Sequence, residues 1–146
     1  MTKEFIPYDL ALELKKLGFD EPCLRVGNPN GHTMWKWIEV DGDPPTVSID
    51  DVVQVPYGEE WTQIPTYSQA FRFFREKYDW QYSIDPTADQ HSHQLGYNYW
   101  IWNSKTREEQ HTMPKNRPSG DWEYETYEEA ELECLKKLIE IVKNGK

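Results

Sequence analysis

The chain has 146 residues and a mass of 17.4 kDa, 37% apolar and 14% aromatic, which fits one ordinary domain whose core relies on few, large rings. A formal net charge of −10 and a pI near 4.8 speak against nucleic-acid backbones and anionic membrane surfaces, since both select clustered Lys and Arg. A protein or small-molecule partner, neutral or basic, is what this charge admits.

The first helix is predicted to begin near Pro7, a residue suited to a first turn, and to carry Leu10, Ala11, Leu14 and Leu17 at spacings of three and four. Gly18 supplies a left-handed stop, after which Phe19 can fold back onto Leu14. Residues 23–26 and 33–40 read as a hairpin across the turn formers Gly27, Asn28, Pro29, Asn30 and Gly31. Asp41, Gly42, Asp43, Pro44 and Pro45 end it, because neither proline can donate to a ladder. Residues 46–65 are interrupted by Pro56, Gly58 and Pro65, and read as a connecting segment with one short edge strand.

Thr66 and Gln69 form a capping-box pair ahead of the second helix, whose apolar face is Tyr67, Ala70, Phe71, Phe74 and Tyr78. A second hairpin is predicted from the alternation over 80–84 and the aromatic run over 95–102, with 85–94 as a polar, His-rich loop. A further strand over 105–111, a loop over 114–120 and a short strand over 122–124 follow. The third helix opens with Thr126 and Glu129 as its box and buries Tyr127, Ala130, Cys134, Leu135, Leu138, Ile139 and Val142. Glutamates crowd its start and lysines its later half, as the helix dipole favours.

These elements predict an α+β fold of order αββαββ(β)α, with three helices on one antiparallel sheet built from two hairpins. A single domain over 1–146 is expected. The helix starts at Tyr8, Tyr67 and Tyr127, each with Ala three residues later, hint at αββ half-repeats over 5–41 and 64–102, closed by a helix over 126–143. Cys23 and Cys134 lack CxxC spacing and read as reduced thiols. With no stretch near the ~20 apolar residues of a membrane span, a cytoplasmic setting is expected.

The phrases FIPYDLALELKKLGFDEPCL at 5–24, IPTYSQAFRFFREKY at 64–78 and YETYEEAELECLKKLIEIVK at 124–143 resemble small uncharacterised proteins of gut Bacteroidetes genomes, their phages and mobile elements. The resemblance implies a mobile-element origin and a cytoplasmic setting, and admits, as a third reading beside the two given below, a protein that modifies or blocks a host system. It brings no catalytic residue and no cofactor.

Three constellations bear on function. Trp35 with Trp37, and Trp100 with Trp102, each stand two apart on a predicted strand and so share a face. Each pair reads either as core beneath a helix or as an exposed platform for a ligand. Asp85, Asp89, His91 and His93, with His111 beyond, offer carboxylates and imidazoles of the kind that hold zinc; a solvated polar loop is the other reading. Glu131 breaks the stripe of the third helix where the first two carry Leu12 and Phe71. It is either a buried functional acid or a rim residue facing solvent or Arg107.

No phosphate loop, HExxH or G-x-S-x-G pattern occurs. The function these residues suggest is a non-enzymatic binding or adaptor protein with an aromatic and acidic surface. A small metal-assisted hydrolase or nuclease centred on the 85–93 loop is the alternative.

Overall fold

A computed structural model describes residues 4–30, 33–35, 38–41, 46–52, 61–88, 93–111 and 122–145, with backbone alone for the segments between 33 and 52. The chain divides into two compact units, Met1–Ser68 and Gln69–Lys146.

In the first unit, α1 (Tyr8–Lys16) follows Pro7 at its N-cap. It closes with the predicted signal: Gly18 takes φ 101, its N–H donates to the Lys15 carbonyl, and the Phe19 N–H reaches the Leu14 carbonyl, each over 3.0 Å. That is the paired closure of a Schellman end. The strands are β1 (Arg25–Gly27), β2 (Thr33–Trp35), β3 (Ile38–Asp41), β4 (Thr46–Val52) and β5 (Thr62–Ile64). β1 lies between β2 and β5, antiparallel to both, and β3 pairs with β4. α1 packs on β5. Leu10, Ala11 and Leu14 are buried, as are Phe5, Ile6, Phe19, Cys23, Val26 and Ile64. The Ile6 N–H donates to the Pro65 carbonyl, tying the entry of α1 to the end of β5.

The second unit begins in the first turn of α2 (Tyr67–Tyr78) and continues through β6 (Trp80–Ala88), β7 (Leu95–Asn103), β8 (Glu109–His111) and α3 (Tyr127–Asn144). β7 is central, antiparallel to β6 along nine paired residues and to β8 along three. α3 packs on β6 and β7, burying Ala130, Cys134, Leu135, Leu138 and Ile139 along with Trp80, Tyr99 and Ile101 of the sheet. The Phe71 ring of α2 stacks on Tyr82 at 3.8 Å and 13°. Thr126 caps α3, its hydroxyl accepting from the Glu129 N–H at 3.2 Å. One thiol is buried in each unit, Cys23 and Cys134, and neither forms a disulfide.

The α+β class, the three helices and the antiparallel pairing agree with the sequence. Leu14, Phe74 and Leu138, the centres of the three predicted stripes, are essentially inaccessible. The strands, however, are shared among three sheets of the described residues rather than joined in one. Two of them come from the stretch read as a connection: β4 continues a local hairpin from β3, and β5 supplies the second neighbour of β1. Residues 122–124 pair with the sheet through a single bridge, Tyr97 to Tyr124. No described helix is long and apolar enough to cross a membrane.

Candidate binding face

Residues paired across an antiparallel ladder point to the same side, and successive residues alternate. On the helix side of the second unit lie Trp80, Tyr82 and Ile84 of β6, opposite Asn103, Ile101 and Tyr99 of β7. The other side is set by the remaining pairs: Gln81 with Trp102, Ser83 with Trp100, Asp85 with Asn98 and Thr87 with Gly96. β8 extends this outer face by placing His111 beside Trp100 and Glu109 beside Trp102.

The outer face has two regions. At one end, Gly96 lies beneath the buried indole of Trp122, whose Nε1–H donates to the Gln94 carbonyl at 3.1 Å. Asn98 holds the same segment by accepting the Glu123 N–H at 2.9 Å. At the other end Trp100 is 39% exposed and Trp102 partly so. Their ring centroids are 4.9 Å apart with planes tilted by 40°, and the His111 ring lies 6.5 Å from Trp100. Both indoles keep contact with water amid polar neighbours, on the side of the ladder away from α3.

Asp85 takes a different place from the predicted one. β6 runs on to Ala88 instead of stopping at Ile84, so Asp85 is a strand residue, exposed, accepting a hydrogen bond from the Ser83 hydroxyl at 3.2 Å. Pro86 is tolerated because β6 is an edge strand among the described residues, and a missing N–H on that edge costs no ladder bond. The extended pairing carries Asp85 towards the tryptophans and out of the His-rich loop. His93 is exposed in that loop with φ 56, and His111 belongs to the tryptophan face. Asp89, His91 and Trp37 lie outside the described residues, as does the side chain of Trp35, whose backbone is in β2. No group of three or more potential metal ligands comes together among the described residues.

Glu131 is partly buried on α3. Burial, then the nearby Glu128 charge, pushes its carboxyl up to about 7, and a hydrogen bond with Tyr127 partly offsets them. Tyr127 is thus the partner, not Arg107. The phenols around this end of α3 are held high chiefly by burial: Tyr82 and Tyr127 are raised with a contribution from Glu131, and Tyr124 is pushed up to about 12. Tyr97 meets Tyr127 edge to face at 5.9 Å, and Tyr99 stacks with Tyr124 at 6.1 Å. These contacts make the tyrosines structural members of the helix side.

Ser83, Glu109 and His111 were not legible as neighbours of the tryptophans. One signal was available: Gln81, Ser83, Asp85 and Thr87 are polar at every second position, which carries the alternation past Ile84 into the polar, His-rich stretch that reads as a loop. The second unit is therefore defined as a helix-backed antiparallel ribbon with an aromatic, acid-flanked outer face. Compared with known proteins, the chain matches no family model, no curated protein and no solved structure.

Proposed function

We propose that this chain is a non-enzymatic binding or adaptor protein, whose ligand engages the Trp100 and Trp102 face of the second unit. The carrying observation is that the two indoles are adjacent, partly exposed and on the side of the ladder away from α3. Exposed aromatic pairs are costly to leave in water and release that cost on binding. We place the protein in a bacterial cytoplasm and derive it from a phage or mobile element, on the strength of its charge, its two thiols and its resemblance to such proteins.

The test is a panel of defined peptides, nucleotides and oligosaccharides titrated against the intact chain and its Trp100→Ala and Trp102→Ala variants, with thermal unfolding of each variant as control. The reading requires at least one ligand whose affinity drops about tenfold in both variants at unchanged Tm. A ligand bound equally well by all three proteins would place the binding surface elsewhere.

A further inference from the structure

We infer that the tryptophan face takes an arginine-bearing basic segment of a partner protein; this rests on reading the face as a binding surface and names what it binds. The argument begins with the shape of the pair. Rings whose planes differ by 40° offer no common plane, so a broad flat ligand cannot cover both. A small planar, forked group suits them better, since it can stack on one indole while its edge meets the other.

Charge then selects among such groups. Asp85 stands on β6 one same-face position along from Ser83, the residue opposite Trp100, and Glu109 stands on β8 opposite Trp102. Both carboxylates are exposed. Neighbouring strands are about 4.8 Å apart and diagonal same-face positions about 7–8 Å apart, so the two acids flank the indoles within reach of one bound side chain and its neighbours. No Lys or Arg lies among the described residues of this face. The whole chain carries −10, which steers a cation towards it.

A guanidinium meets both demands. Its plane stacks on an indole, where ring and charge attract, while its N–H fork reaches a carboxylate. Asp85 is oriented for this by the Ser83 hydroxyl, which donates to one of its oxygens and leaves the other open to a second donor. Lysine offers the charge without the plane, and binds more weakly here.

The test uses a blocked nine-residue peptide with two arginines separated by glycine and serine, and the same peptide with citrulline in place of arginine. Citrulline keeps the shape and removes the charge. A neutral proline-rich peptide and maltohexaose complete the set. Calorimetry on the intact protein at low salt is expected to show the arginine peptide binding at least about tenfold more tightly than its citrulline counterpart. Asp85→Asn and Glu109→Gln should each weaken it about two- to five-fold, and added salt should weaken it further. Trp100→Ala should cost about tenfold.

Because Asp85 and Glu109 are exposed, their variants read the interaction without depending on a repacked sheet. Indole N–H signals of Trp100 and Trp102 that move with arginine methyl ester and not with citrulline provide a second readout. Tighter binding of the neutral peptide or the oligosaccharide, lost in Trp100→Ala, overturns the basic partner and leaves the binding face standing. Arginine-peptide binding indifferent to Trp100, Asp85 and Glu109 overturns the assignment of this face. Absence of any arginine-dependent binding overturns the inference outright.

Discussion

The indole of Trp122 covers Gly96 so closely that any side chain at that position would overlap the ring. Glycine is therefore required within a strand, one residue from the start of β7, where its entropy cost and lack of a packing group usually count against it. Gly96→Ala is expected to lower stability by about 1–3 kcal/mol through overpacking. Trp122→Phe, which keeps a ring but loses the N–H to the Gln94 carbonyl, should cost about 1 kcal/mol for that bond, besides any packing loss. Urea unfolding followed by circular dichroism measures both.

Asn103 holds the turn between β7 and β8. Its Nδ2 donates to the Tyr78 carbonyl at 3.0 Å, and its Oδ1 accepts from the Lys105 and Thr106 N–H groups at 2.9 Å each. It is buried, so Asn103→Ala leaves three groups to find other partners, at a cost of about 2–3 kcal/mol. Asn103→Asp retains both acceptor bonds and should lose less. Amide exchange at Lys105 and Thr106 is expected to quicken in the alanine variant and to stay slow in the aspartate one.

Thr126→Ala removes the cap of α3, whose hydroxyl satisfies the Glu129 N–H. A loss of about 1 kcal/mol is expected, and Thr126→Ser or Thr126→Asp should restore most of it. Guanidinium unfolding of the four proteins, compared at constant slope, reads the difference.

Glu131 makes stability depend on pH in a direction opposite to that of an ion-paired carboxylate. Its folded-state value of about 7 lies above the ordinary 4.5, so the folded chain holds the proton more tightly than the unfolded one. The resulting stabilisation is fully present below pH 4.5 and is lost as pH rises to 7. Because solvent reaches part of the group, its discounted size is about 1 kcal/mol. Glu131→Gln should flatten the stability profile between pH 4.5 and 7 and gain about that amount at pH 8. A steeper profile in the variant would contradict the assignment.

The helices could be read from the chain because their signals are local: Gly18 and Phe19 close α1, Thr126 opens α3, and spacing of three and four marks the buried residues. The β6 and β7 hairpin was readable from its alternation. Which side of β7 faces α3 was not, since Tyr97 and Tyr99 on one side and Trp100 and Trp102 on the other are both aromatic, and a period of two with rings on both faces does not say which is covered. β5 was hidden because its three residues gain meaning only from pairing with β1, far away in sequence. Asp85 reads as a loop residue because the polar, His-rich run over 85–94 has the composition of a hairpin connection, and the pairing that extends β6 to Ala88 is made with β7 on the far side of that run.

Each compact unit seals one thiol away from water, Cys23 at 1% and Cys134 at 0% exposure, and burial, reinforced by Glu131, pushes the Cys134 thiol far above its ordinary range. Since a thiolate is the species that alkylating reagents attack, neither sulfur can react until its surroundings open. Iodoacetamide labelling, resolved by peptide mass, thus turns the pair into two internal clocks. Equal rates would mean that both halves of the chain breathe as one cooperative body, and unequal rates would reveal which half lets go first.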